Sequence, residues 1–291
     1  MNPGTVITPG AFRPQALSHV SMHAQDPARW GGFAEELFGA RCASMPDGAA
    51  LVRFDEQAAR VRVLPGADGA LGAIGWQMRD ELELAGLIEQ IGQAGHRVES
   101  IESVAAEGLG FEHVAIVDDP FGNRIELCCH PVMNLDHASL AVPAAHLGHV
   151  VLGVPDLGAA EAFYVGALGL RVTDRISFQK AGRNIELSFL RAADRRHHSL
   201  ALAGGGKGIN HLMIELADVD AVGRCLDQSR ARGDALRREL GRHSNDLMYS
   251  FYAASPNGID VEVGCDGICI DEASWQIKRH RSVSRWGHRL L

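Results

Sequence analysis

The feature that most constrains this chain is that its pattern is written more than once. Val117 to Cys129, VDDPFGNRIELCC, has a counterpart in Ala253 to Cys265, AASPNGIDVEVGC. Each runs from an apolar strand through a Pro-x-Gly turn into an alternating strand. Each carries a glutamate at the matching point, Glu126 and Glu262, 262 − 126 = 136 residues apart. LSHVSMHAQDPARWGGFAEELFGARCA matches LGHVVLGVPDLGAAEAFYVGALGLRVT in the same way, with His19 opposite His149, 149 − 19 = 130 residues apart. Self-similarity over such a distance implies a duplicated architecture. The chain therefore divides into two similar halves, joined near Pro131 to Ala144.

Each half divides again. Asp26, Asp156 and Asp218 each stand after a strand and before an amphipathic run, where a side-chain oxygen caps a helix. Gly39, Gly95, Gly169 and Gly233 stand where those helices end, as left-handed caps prefer. Short strands such as IELSFLR, HSLALAG, MYSFYAA and IDVEVG follow. The unit is βαβββ, repeated four times. The runs LAGLIEQIGQAG and AVGRCLDQSRARG have charged outer faces and suit packing on one side of a sheet. The expected fold is α+β, two similar domains, each of two paired βαβββ modules. The expected boundaries are 15–131 for a structural domain without metal, 144–266 for a metal-binding catalytic domain, and 267–291 for a solvated, basic tail. Two modules whose sheets curve around a shared space would bring inward-pointing polar residues together.

Composition narrows the function classes. The 291 residues are 46% apolar and 22% charged, normal for a globular protein, with a formal net charge of −8. That charge argues against a nucleic-acid partner, which would want a basic field. No apolar run reaches membrane-spanning length. The segment MNPGTVITPGAFRPQ lacks a charged start followed by an apolar stretch, so no signal peptide is expected. Six cysteines in a chain this long do not make a disulfide framework. Cys128 and Cys129 sit in an apolar run as buried thiols, which suits a reducing cytoplasm.

The chemistry lies in three strands of the second half. His149 sits in LGHVVLGV, His211 in GKGINHLMIEL and Glu262 in IDVEVG. Taken singly, each is more often a core histidine or an edge glutamate. Their positions in repeated units change that balance. Two imidazoles and one carboxylate make the facial triad of non-haem Fe(II) sites, which leaves positions open for substrate and oxygen; Mn(II) suits the same donors. The first half keeps His19 and Glu126. Trp76 in LGAIGWQMRD is expected at the position of His211, which would leave that half without a metal.

Several motifs in the right order carry a resemblance. GHVVLGV, INHLMIEL, GRHSNDLMYSFYAASPNGIDVEVG and the tail WQ…SRWGH, over about Leu17 to His288, resemble the type I extradiol catechol dioxygenases of the vicinal oxygen chelate superfamily. The resemblance is strongest to the 2,3-dihydroxybiphenyl 1,2-dioxygenase group. It implies paired βαβββ modules with iron in the C-terminal domain only, ring opening of a catechol by O2 in aromatic catabolism, and a homo-oligomer. It also implies roles. Of the pair His197 and His198, His198 is matched to the histidine facing the oxygen site, where an imidazole with a pKa near 6.5 can accept and return a proton. His243 and Tyr252 would hydrogen-bond the catecholate, and Asn245 and Asp246 would bind substrate. Strand alternation allows one of His197 and His198 to look inward, and Leu200 and Leu202 in HSLAL place His198 on the inward face. Two rival readings remain. One is a glyoxalase-like or fosfomycin-type metalloenzyme of the same superfamily. The other is a non-catalytic small-molecule-binding protein of that fold. The His-His and His-Ser-Asn-Asp motifs and the intact triad speak against both.

Overall fold

Period-two alternation in the strands separates a helix-facing side from an inner side, and that separation organises the molecule. The computed structural model describes residues 10–101, 110–131, 133, 146–180 and 182–291. The expected joint lies, apart from Pro131 and Met133, outside the described residues, as does the start of the N-terminal segment read above.

The elements of the first half are β1 (Ala16–Ala24), α1 (Pro27–Phe38), β2 (Arg41–Ser44), β3 (Ala50–Arg53) and β4 (Val61–Pro65), then β5 (Leu71–Gln77), α2 (Glu81–Gln93), β6 (Glu99–Ile101), β7 (Phe111–Asp118) and β8 (Arg124–Pro131). The second half repeats them as β9 (His146–Val154), α3 (Leu157–Glu161), β10 (Arg171–Lys180), β11 (Arg183–Arg191) and β12 (Leu200–Gly204), then β13 (Gly208–Glu215), α4 (Val219–Arg232), β14 (Leu236–His243), β15 (Tyr249–Ala254) and β16 (Asp260–Cys265). A π-helical turn, Ala162–Ala167, continues α3. Two short strands follow, β17 (Lys278–His280) and β18 (Ser284–Trp286).

The sheet order is β2-β3-β4-β1-β5-β8-β7-β6 in the first half and β10-β11-β12-β9-β13-β16-β15-β14 in the second, with β17 and β18 added at its two edges. The two orders are the same order. Within each module the first and last strands pair parallel, as β1 with β4 and β13 with β16. The two modules of a half meet through antiparallel first strands, β1 with β5 and β9 with β13. All four α-helices begin at a capping aspartate, Asp26, Asp80, Asp156 and Asp218, whose side chain accepts an amide hydrogen three residues on. Asp80 belongs to this set although its sequence context conceals it. Gly39 and Gly233 close α1 and α4 at φ of 69° and 78°, a conformation glycine adopts without penalty.

The helix-facing sides form one continuous core through both halves. Val20, Ile74, Trp76 and Ile125 pack in it with Trp30, Leu37, Leu87 and Ile91, and their counterparts Val150, Leu212, Ile214 and Val261 pack with Phe163, Val222 and Leu226. Burying each such side chain contributes about 1.5–3 kcal/mol. The halves also exchange matched hydrogen bonds. Trp30 Nε1 donates to Asn257 Oδ1 at 3.2 Å, and Tyr164 OH donates to Asp119 Oδ2 at 2.9 Å. In each case an aromatic residue following the first strand of one half reaches the Pro-x-Gly turn of the other.

The tail is not the solvated segment expected from its basic composition. β17 pairs parallel with β10 and β18 pairs antiparallel with β14. Glu272 receives Arg13, Arg171 and Arg191, and His288 is 7% exposed. The tail's positive charge lies in exposed Lys and Arg heads, while its other side chains close the edges of the sheet around the inner space.

Candidate metal centre

His149 on β9, His211 on β13 and Glu262 on β16 occupy three adjacent strands. The registers bring them to one place. Met213 pairs with His149 across the antiparallel ladder and with Glu262 across the parallel one, and His211 lies two residues back on the same strand. Leu212, Ile214, Val261 and Val263 turn the other way into the core. His149 Nε2 lies 3.4 Å from His211 Nε2, and both face Glu262 Oε2, at 3.3 and 3.2 Å. A metal with bonds of about 2.0–2.2 Å holds neighbouring ligand atoms ~3 Å apart, so this triangle matches one face of a coordination sphere.

The chemistry of the donors fits a dication. Glu262 is fully buried, and its Oε2 has no hydrogen bond of acceptable geometry among the described residues, despite the two nearby imidazoles. Burial would push its carboxyl upward, but the charge on His243 and the three facing imidazoles hold it well below the usual range, so it is an anion. Burial lowers His211, against the opposing pull of Glu262, and so favours the neutral form that ligates. His211 Nδ1 donates to Asn210 Oδ1 at 2.9 Å, which leaves Nε2 as the lone-pair nitrogen facing the centre.

On the Glu262 side, its Oε1 accepts from Ser250 Oγ at 2.5 Å and lies 3.0 Å from His243 Nε2. Tyr252 OH is 2.9 Å from the same nitrogen, and Val283 O accepts from His243 Nδ1 at 3.1 Å. Burial opposes charge on His243, but Glu262 outweighs it and raises the imidazole to about 9. A dication beside Glu262 would oppose that pull. His288 from the tail lies against His243 with ring centroids 4.3 Å apart and donates through Nε2 to Ser250 O at 3.1 Å. Burial, and then the charge on His243, push His288 down to about 4, so it stays neutral.

On the opposite side, His198 stacks on His149 with ring centroids 4.2 Å apart and meets Phe189 edge-on at 4.9 Å. Burial, with His149 and His197 adding to it, pushes His198 well below the ordinary histidine value, so it stands neutral. The strand argument that selected it does not hold. His198 precedes β12 and belongs to no strand, and Leu200 and Leu202 face the helix-side core. His198 reaches the centre because the segment before β12 turns inward. His197 is buried as well, and touches His198 but not the triad. Asp246 Oδ2 lies 3.7 Å from His198 Nδ1. Asn245 is 5% exposed, and its Nδ2 has no partner among the described residues. A cavity of about 230 Å³ opens beside His149, His198 and Asp246. Val151, Ile176, Phe189 and Ala201 make an apolar wall on the inner face, extended by Phe178, Leu187 and Val283.

The first half has the same strands but closes them differently. His19 Nε2 lies 2.8 Å from Glu126 Oε2, and Arg124 Nε donates to Glu126 Oε1 at 2.8 Å. Gly75 pairs with His19 and with Glu126, as Met213 does with their counterparts, so the position of His211 falls two residues earlier, on Ala73. It does not fall on Trp76, which corresponds to Ile214 and packs in the helix-side core. The capping aspartates carry this register in the sequence: 218 − 80 = 138, and 211 − 138 = 73. Gly75 is required where it stands, because a Cβ there would lie 2.0 Å from Cε1 of the His19 ring.

Sequence reasoning missed Ser250, His288, Asp174 and His280. The first two touch the Glu262 network, and the last two stand behind His197. Ser250 carried a usable signal, since it alternates with Tyr252 on β15. The others depend on contacts between distant segments.

The comparisons with known proteins agree with this geometry. Residues 146–263 match the family described as Glyoxalase/Bleomycin resistance protein/Dioxygenase superfamily, and residues 17–66 match Dihydroxybiphenyl dioxygenase BphC D1. The chain is 33% identical to an iron-dependent extradiol dioxygenase of Rhodococcus jostii, covering 94% of this chain and 96% of that one. It is also 33% identical to a biphenyl-2,3-diol 1,2-dioxygenase of Paraburkholderia xenovorans, covering 95% and 96%. Among solved structures, BphC, a halotolerant catechol dioxygenase, superposes with a TM-score of 0.87 at 30% identity, covering 96% of this chain and 95% of that one. The chain therefore belongs to the extradiol dioxygenases of the vicinal oxygen chelate superfamily.

Proposed function

We propose that this protein opens the ring of a catechol beside its vicinal hydroxyls, placing both atoms of O2 in the product, and that the substrate is bicyclic or substituted in the manner of 2,3-dihydroxybiphenyl. The observation that carries the reading is the convergence of His149 Nε2, His211 Nε2 and an orphaned Glu262 Oε2 beside the neutral imidazole of His198. His149, His211 and Glu262 would hold Fe(II), with Mn(II) compatible with the same donors. When bound, the metal supplies the redox link between an electron-rich catecholate and dioxygen.

The chain's own residues supply orientation and proton control. A catechol must lose a proton before it can chelate, and His198 is the neutral base placed to take one and return it later. Tyr252 OH and His243 Nε2, 2.9 Å apart beside Glu262, can orient the catecholate oxygens. Asp246, lining the cavity, and Asn245, with its unpaired amide, are the substrate-binding candidates. The wall of Val151, Ile176, Phe189 and Ala201 suits an aryl substituent and keeps water from the reacting ring.

The first half, residues 15–131, is structural in this reading. Glu126 already has both oxygens bonded and Ala73 offers no third donor. A homo-oligomer rests on the family resemblance, and a cytoplasmic setting suits six unpaired cysteines. No helix among the described residues is long and apolar enough to cross a membrane. The test is oxygen uptake by the iron-loaded protein across a panel of catechols including 2,3-dihydroxybiphenyl. One O2 consumed per catechol with a yellow ring-opened product is expected. Absence of uptake with every catechol would overturn the reading.

A further inference from the structure

Asp174 on β10 is fully buried and collects three donors. Its Oδ1 accepts from the Lys278 amide at 2.7 Å, and its Oδ2 faces His197 Nε2 at 3.0 Å and His280 Nε2 at 3.1 Å. A carboxylate accepts and does not donate, so both facing imidazole nitrogens carry hydrogen. The His197 side chain is 2% exposed and that of His280 is 19% exposed, so burial keeps His197 the neutral one of the two. A neutral His197 with hydrogen on Nε2 has a bare Nδ1. That Nδ1 lies 3.1 Å from His198 Nδ1. Two bare nitrogens do not face each other at hydrogen-bond distance, so His198 Nδ1 carries hydrogen and its Nε2 is bare. Asp246 Oδ2, 3.7 Å from the same Nδ1, favours the same form.

We propose that Asp174, acting through His197, fixes the Nδ1–H tautomer of His198 and so makes Nε2 the nitrogen that takes the proton from substrate. The proposal rests on the ring-cleavage reading of His198. In the step, the substrate O–H bond breaks, its electron pair stays on oxygen, and an N–H bond forms at Nε2. The Nδ1–H remains donated to His197, and the buried charge of Asp174 behind it stabilises the imidazolium. The logic is that of the buried aspartate behind the catalytic histidine of serine proteases, with one more imidazole interposed. Asp174 and His197 are positioning residues. The tail takes part, because Lys278 and His280 fix the carboxylate.

Asp174→Asn tests this. Oδ1 of the amide must keep the Lys278 N–H, so its NH2 group faces His197. His197 Nε2 then has to accept, Nδ1 has to carry the hydrogen, and His198 is driven to Nε2–H, unable to take a proton. The holoenzyme should keep iron and catechol affinity while turnover falls about 10²- to 10⁴-fold. Neutron diffraction from anaerobic, iron-loaded crystals supplies a readout independent of activity. Deuterium is expected on His198 Nδ1 in the parent and on Nε2 in the variant. Deuterium on Nε2 in the parent overturns the proposal. So does an Asp174→Asn protein with His198 unchanged and parent turnover, which would assign the tautomer to Asp246. Should Asp174→Asn not fold, His197→Phe keeps the other bonds of Asp174 and removes the link; parent turnover there overturns the proposal equally. His198→Ala separates the two readings. Parent turnover in His198→Ala removes the base itself, whereas an inactive His198→Ala beside a fully active Asp174→Asn removes only the role of Asp174.

Discussion

Replacing Glu126 by Gln should destabilise the protein without removing metal. The Glu126 side chain is 4% exposed and that of His19 1%. Burial pushes the Glu126 carboxyl upward, but the His19 hydrogen bond, then charge on His19, Arg124 and Arg62, hold it down at about 2. Against an ordinary 4.5, that depression corresponds to about 3 kcal/mol at 1.36 kcal/mol per pH unit. The two partners disagree, however. Burial lowers His19, which is therefore neutral at pH 7, and the attraction of a charged His19 is absent there. The hydrogen bond and the arginines remain, so about 2 kcal/mol is the better figure. Glutamine has one accepting oxygen where Glu126 uses two, and its amide would face arginine. Melting temperature should fall by about 4–8 °C at pH 7. The sign of the pH dependence follows from the depressed carboxyl. Its contribution is present above pH 4.5 and is lost as pH falls toward 2, so the variant should lack that part of the acid profile. His19 adds a separate loss below pH 6.5, where the unfolded chain binds the proton that the buried ring resists. Differential scanning calorimetry from pH 3 to 8, with iron analysis on the same samples, measures both. An unchanged melting temperature, or loss of an iron equivalent, would refute the structural reading of the pair.

Three further outcomes are expected. His211→Ala should lose nearly all iron by metal analysis, and retention of a full equivalent would remove His211 from the site. His198→Ala should keep iron and anaerobic catechol affinity while turnover falls about 10²- to 10⁴-fold; a crippled His197→Ala beside a normal His198→Ala would move the base by one residue. Gly75→Ala should displace the His19 ring, since the new Cβ would lie 2.0 Å from it. Its stability loss should therefore overlap with that of Glu126→Gln in a double-mutant cycle, and strict additivity in that cycle would show that the two residues do not act through one contact.

The duplication, the α+β class and the three candidate ligands were legible in the chain because they are local or periodic. Repetition at 130 to 138 residues is visible without a structure, and alternation assigns His149, His211 and Glu262 to the face opposite their aliphatic neighbours. What lay beyond the sequence follows from pairing between distant strands. The counterpart of His211 is Ala73 and not Trp76, because the ladders of β13 and β5 with their neighbours contain bulges, and counting along a strand does not survive them. His198 reaches the centre from an irregular segment, where alternation carries no information. Composition described the tail as basic and solvated, yet β17 and β18 bring His280 to Asp174 and His288 to His243. Periodicity reports which face of a strand a residue occupies. Which other segment that face meets is decided when the sheet closes, and the hydrogen bonds that set the protons of this site are made at those meetings.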